Sequence, residues 1–212
     1  MSAKAPITQL RRADFLVAAA LLLLTTAALL GASRSQGYAR DEGYYFQAAE
    51  QHVAYLEESL QGLLHGKPLT FAKQHVIDRH LSYNSEHPPL MKTLFGLSWR
   101  LLHRCDCPNE AGLHPISYPR RHVTLGLLSQ GAAMRLPSHM LMGILIAGVY
   151  LFGALSFGRT AGLVGAGLTL LQPRLFFHGQ LSCFDAPVAA MIFLITMAYS
   201  RLITAPPRRQ LL

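Results

Sequence analysis

The sequence predicts an all-α integral membrane protein with about four transmembrane helices and a long extracytoplasmic first loop. Three observations lead there. The 212 residues are 51% hydrophobic and only 14% charged, against about 25% charged in ordinary soluble domains, and the mean hydropathy is +0.26. Four apolar runs, residues 15–33, 136–157, 161–177 and 186–204, approach or reach the length that crosses ~30 Å of hydrocarbon at ~1.5 Å per residue. Basic residues border these runs, so the formal net charge of +8 is accounted for by lipid headgroups and membrane orientation, and no nucleic-acid partner is expected. The apolar content excludes intrinsic disorder, and three cysteines are too few and too odd for a disulfide scaffold.

Residues 1–14 form a cytoplasmic N-terminus, because Lys4, Arg11 and Arg12 precede the first run. A cleaved signal peptide is the rival, with Gly31 and Ser33 as small residues before a cut, but the run exceeds the usual apolar region of roughly 7–15 residues. The second span, 136–157, carries Gly143, Gly148 and Gly153 and ends at Gly158-Arg159-Thr160, a tight turn with a positive cap. The third, 161–177, closes near Pro173 and Arg174. The fourth, 186–204, is followed by a short tail, 205–212, holding Arg208 and Arg209. Four crossings put Arg159, Arg201, Arg208 and Arg209 on the cytoplasmic side with the N-terminus. Gly158 and Gly162, with Gly165 and Gly167, suit close helix packing.

Residues 34–135 then lie outside, a translocated stretch long enough to escape the charge rule. Phe46, Ala49, Val53, Leu56, Leu60 and Leu63 recur at three- and four-residue steps and make one apolar helical stripe, stopped by Gly66. Leu94, Leu97, Trp99 and Leu101 mark a second helix beside Lys92, Arg100 and Arg104. Two placements fit both helices: on the membrane surface, apolar stripes in the acyl boundary, or packed against each other in a small external domain.

Chemistry has few candidate carriers. Asp41 and Glu42 follow the first span closely and precede Tyr44-Tyr45-Phe46. Adjacent carboxylates at a membrane exit suit the withdrawal of a proton from an acceptor hydroxyl, one acting and its neighbour orienting; equally, acids in a first turn answer the helix dipole. Glu86-His87-Pro88-Pro89 forces an extended entry into the helix near Leu90 and so fixes Glu86 and His87 relative to it. Lys92, one turn in, suits an anion at that helix N-terminus. Asp185 opens the fourth span, with Arg174 and His178 just upstream, and Arg135 opens the second. All converge on one membrane face, although arginines there also snorkel to lipid phosphate. His103, Cys105, Cys107 and His114 form the sole Cys/His cluster, but Cys-x-Cys is not a usual zinc spacing. No phosphate loop, dinucleotide fingerprint, nucleophile elbow or zinc-protease helix is present.

Taken in order, these motifs resemble the N-terminal part of GT-C type polyprenyl-phosphate-dependent glycosyltransferases. The nearest likeness is to glycosyltransferase family 39, which includes protein O-mannosyltransferases and the lipid A aminoarabinose transferase. The resemblance runs through Arg40-Asp41-Glu42-Gly43-Tyr44-Tyr45, Glu86-His87-Pro88-Pro89-Leu90-Met91-Lys92, Arg135-Leu136-Pro137-Ser138, Pro173 and Asp185-Ala186-Pro187. It implies transfer of a sugar from a lipid-linked donor to a hydroxyl on a protein, lipid or glycan acceptor, with inversion, on the extracytoplasmic side of a bacterial inner membrane. By this resemblance Asp41 is the general base and Glu42 its support. Glu86 and His87 shape the acceptor or a metal position, Arg135 and Lys92 neutralise the departing phosphate, and Asp185, with Arg174 and His178, borders the same cavity. A divalent metal ion is the one cofactor for which it leaves room.

Enzymes of this type have more spans, so the expectation is an N-terminal portion, or a chain whose remaining transmembrane wall comes from another polypeptide. An accessory membrane protein that keeps the fold without catalysis is the competing class. A transporter or channel subunit fits less well, because its ionisable residues would sit at mid-membrane.

Overall fold

The computed structural model describes residues 9–103 and 124–204. Among them the chain is helical, with no strand: α1 is Arg12–Ala32, α2 Arg40–Leu64, α3 Gln74–Leu81, α4 Pro89–Leu102, α5 Gln130–Phe157, α6 Arg159–Leu170, α7 Pro173–Gly179 and α8 Asp185–Thr204. Short 3₁₀ turns occupy Ser33–Ser35 and Pro68–Ala72. The chain divides into two units.

The first unit comprises residues up to 31, 138–180 and from 184 on. Among the described residues three helices are long and apolar enough to cross a membrane: Arg12–Ser35, Gln130–Phe157 and Asp185–Ile203. The expectation of four such helices is corrected at 161–177. Helix α6 stops at Leu170 and the chain turns through Leu171 and Gln172 before Pro173 starts α7. Proline is favoured as a first helical residue and disfavours helix in the residue before it, which is why the break falls there. The 12 residues of α6 reach only ~18 Å, short of the ~30 Å hydrocarbon core. The broken pair nevertheless retraces α5. At one end Gly162 lies against Tyr150 and Ala154; at the other the His139 ring donates from Nε2 to the Gln180 carbonyl at 3.3 Å.

Leu29, Met142, Ile146, Tyr150 and Ala154 form the core of this unit, while Leu16, Leu23, Leu24, Ile192 and Ile195 are exposed, as lipid-facing residues are. Small residues let backbones approach, which is how helices associate where no hydrophobic force drives them together. A Cβ on Gly143 would strike α1 at Leu22 and Thr26, and one on Gly162 would meet the Tyr150 carbonyl at 2.6 Å and the Ala154 amide at 2.7 Å. Gly167 has nothing near. Gly162→Ala should therefore cost ~1–3 kcal/mol by overpacking and Gly167→Ala almost nothing, read from thermal unfolding in detergent. Equal midpoints would contradict the close approach of α5 and α6.

Asp14 ties the same unit together. Its carboxylate accepts from Arg159 at 2.7 and 2.8 Å, from the Tyr150 hydroxyl at 3.0 Å and from the Arg11 amide at 2.7 Å. The α5–α6 turn, with Gly158 at φ +99°, is thus pinned to the first turn of α1.

The second unit comprises residues 32–137 and 181–183. Helices α2 and α4 pack against each other: Gly96 of α4 lies on the Ala49 carbonyl and Val53 of α2. Phe46 and Val53 of α2 and Met91, Phe95 and Trp99 of α4 are buried. The predicted stripe on α2 splits in two. Phe46, Ala49 and Val53 are buried, whereas Leu56, Leu60 and Leu63 are 38%, 56% and 58% exposed.

Candidate functional site

The approach to α2 is built around Glu42. Ala39 is extended at the helix cap and its amide donates to Glu42 Oε2 at 2.9 Å, the backward half of a capping box. The same carboxylate, 1% exposed, receives a two-pronged ion pair from Arg135, itself 3% exposed, with Nε to Oε1 and Nη2 to Oε2 both 2.7 Å. The Ser182 amide adds a bond to Oε1 at 2.8 Å. Arg135 places its remaining donors on the carbonyls of Ser33 at 3.1 Å, Gly37 at 2.8 Å and Gln36 at 3.5 Å, and its guanidinium lies 5.2 Å from the Tyr38 ring centre. Glu42 and Arg135 are therefore engaged with each other and with backbone, not directed at solvent. They hold the first turn of α2.

That turn presents Asp41. The side chain is exposed and has no hydrogen-bond or ionic partner among the described residues. One helical turn on, where i and i+4 side chains are neighbours, Tyr45 meets His87. The Tyr45 hydroxyl is 3.4 Å from His87 Nε2 and the rings are 5.4 Å apart, edge to face. His87 in turn stands 3.5 Å from Glu86, which is 66% exposed and accepts from Asn84 Nδ2 at 3.1 Å. Asn84 turns the chain at φ +55°, a left-handed conformation that asparagine tolerates. The extended Pro88 and the helix-starting Pro89 follow, as the double proline predicts. Tyr45, His87 and Glu86 are thus linked in the second unit, and Asp41 lies one helical turn before Tyr45 on α2.

Lys92 is buried beneath the turn and donates to the Asn84 carbonyl at 2.6 Å. Burial lowers its pKa, partly opposed by the charge of Glu86. Nearby on α2, His52 bonds Thr93 at 3.0 Å; burial and then the Lys92 charge lower its pKa to about 4. Glu50, 7% exposed, accepts from Gln130 at 3.2 Å, and burial pushes its pKa up to about 7 despite that bond.

Glu50 makes stability depend on pH. Its folded pKa, about 7, lies above the ordinary 4.5, so the stabilisation it allows is complete below pH 4.5 and is lost as pH rises through 7. His52 works oppositely: its pKa is depressed from 6.5 to about 4, so stability falls as pH drops through that window. The two slopes largely cancel in the wild type. Glu50→Gln should unmask the histidine, gaining on the wild type by ~3 kcal/mol between pH 4.5 and 7, at ~1.4 kcal/mol per pH unit. Thermal melts of both proteins across that range test it; parallel curves would refute it.

The remaining candidates lie in the first unit. Arg174, His178 and Asp185 line a cavity of about 170 Å³ with Gln172 and Leu175. His178 Nδ1 is 3.3 Å from Asp185 Oδ2, and Arg174 is exposed one residue into α7. This is a cation-bearing hollow beside the start of a membrane-length helix. Of the Cys/His cluster, Cys105, Cys107 and His114 lie outside the described residues; His103 stacks on Trp99 with rings 4.5 Å apart and bonds the Trp99 carbonyl at 2.7 Å.

Sequence reasoning missed Asp14, Glu50 and His52. Glu50 had a signal, since it falls four residues after Phe46 and three before Val53, on the stripe that is buried. Asp14 stands at the edge of the first apolar run, where its partner in the α5–α6 turn, 145 residues away, leaves no local trace. No family model, no curated protein and no solved structure matches this chain.

Proposed function

We propose that this chain is a membrane glycosyltransferase, or the N-terminal portion of one. It moves a sugar from a polyprenyl-phosphate donor to a hydroxyl of a protein, lipid or glycan, on the outer side of a bacterial inner membrane. The observation that carries this reading is the division of labour between adjacent acids: Glu42 is consumed by Arg135, while Asp41 is exposed and unpartnered among the described residues, one helical turn before the Tyr45 that meets His87. A rigidly held turn that offers one accessible carboxylate is what a general base requires.

In the reaction, Asp41 takes the proton of the acceptor hydroxyl as its oxygen bonds the anomeric carbon, and the bond from that carbon to the lipid phosphate breaks. The electron pair leaves with the phosphate. Glu86, exposed beside His87, supports positive charge developing on the sugar. Glu86 and His87, 3.5 Å apart, are the residues of this unit that would hold a divalent cation. Two ligands are few for such a site.

The test is sugar transfer from a polyprenyl-phosphate donor in membranes containing the wild type or Asp41→Asn. Turnover by the wild type and its loss in the variant support the reading. Transfer no greater than that of Asp41→Asn would favour an accessory membrane protein.

A further inference from the structure

The end of α2 and the turn into α3 form a second charged hollow, away from Asp41 in sequence and independent of the sugar-transfer reading. A cavity of about 280 Å³ is lined by Lys67, Lys73, His65 and His75 together with Glu58 and Thr70. Glu58 is the sole carboxylate in that lining, and it is already satisfied. His80 Nε2 reaches it at 2.8 Å and Arg79 at 3.3 Å, and the bond from His80 is the main reason its pKa is lowered. Both lysines are exposed and neither has a bond or ionic partner through its side chain among the described residues. The cavity therefore presents surplus positive charge.

The geometry is built rather than incidental. Gly66, at φ +72°, turns the chain out of α2, and the Lys67 amide returns to the Gly62 carbonyl at 2.7 Å. The buried Thr70 hydroxyl donates to the Lys67 carbonyl at 2.8 Å. Gly62 has no room for a side chain against Thr70. The turn that carries Lys67 is thus closed onto the last turns of α2.

Large apolar residues surround the cavity in the chain. Leu63 and Leu64 fall between Gly62 and His65, Leu69 between Lys67 and Thr70, and Phe71 between Thr70 and Lys73. They are 58%, 74%, 67% and 51% exposed. Exposed apolar side chains interleaved with cations are the composition of a surface that enters the acyl boundary while its charges meet phosphates. In a chain with three membrane-length helices, a lipid surface is always at hand.

We propose that this corner of the second unit is seated on anionic lipid, with a headgroup phosphate in the cavity between Lys67 and Lys73 and the leucines in the acyl region. The shared chemistry is a phosphate anion, and the apolar rim selects a lipid over a soluble phosphate. Each cation near an anionic surface contributes about a 5.5-fold gain, so loss of two should weaken binding roughly 30-fold.

Native mass spectrometry of the full chain released from detergent tests this, titrating phosphatidylglycerol against phosphatidylcholine and, separately, against inorganic phosphate. Phosphatidylglycerol should be retained preferentially, the preference should fall roughly 30-fold in K67Q/K73Q, and L64S/L69S should weaken retention with the lysines intact. All four positions are exposed, so folding should be unaffected, and helicity checks it. Equal retention by wild type and K67Q/K73Q would overturn the proposal. Displacement of the lipid by millimolar inorganic phosphate, with no effect of L64S/L69S, would overturn it too, leaving a soluble-phosphate site.

Discussion

Arg135→Ala is expected to destabilise the second unit by ~3–5 kcal/mol, because it leaves the Glu42 carboxylate buried without its cation. The pair is 1% and 3% exposed and joined at two points of 2.7 Å. Two N–H groups, of Ala39 and Ser182, would still point at Glu42, so part of the charge remains solvated by the backbone and the loss stays within that range. The Ser33, Gly37 and Gln36 carbonyls would also lose their donor. Glu42→Gln should cost less, since an amide oxygen keeps one acceptor while Arg135 retains three carbonyls. The double variant should cost clearly less than the sum of the singles, because the residues act as one unit. A mutant cycle read from unfolding in detergent measures this. Strict additivity, or an Arg135→Ala cost below ~1 kcal/mol, would mean that the pair is not the lock on α2.

This pair also marks where sequence reading stops. Asp41 and Glu42 are equivalent in one dimension, two acids at the exit of an apolar run. They differ only once the helix begins at Arg40 and puts Glu42 at the third helical position, where it can turn back to the Ala39 amide and toward Arg135, 93 residues away. Periodicity carried the apolar face of α2 as far as Val53, and the double proline fixed the start of α4, because both are local rules. The fate of Leu56, Leu60 and Leu63 was not local. The stripe continues in sequence, but the partner helix covers only its first half. Likewise Pro173 was visible as the end of a run, yet hydropathy averaged across 161–177 and hid the break between α6 and α7.

Asp41→Asn should reduce turnover by ~10²–10⁴-fold, the usual contribution of a positioned general base, equivalent to ~3–5 kcal/mol of barrier. Asparagine keeps the size of the side chain and its ability to accept at a helix N-terminus, but cannot hold the acceptor's proton. Because Asp41 is exposed and bonds to no described residue, stability should change by no more than ~1 kcal/mol, the scale of a charge–dipole interaction in a first turn. The loss should therefore appear in kcat with KM for the lipid-linked donor little altered, as for an interaction made only in the transition state. Glu42→Gln provides the contrast: it should lower activity only in proportion to the folded fraction, recovering on cooling or with stabilising lipid, while Asp41→Asn should not recover. If Asp41→Asn keeps turnover within about threefold of the wild type while Glu86→Gln abolishes it, the base is on the Pro-Pro turn and the roles of the two acids exchange. If neither substitution reduces a measurable wild-type rate, these acids do not carry the chemistry.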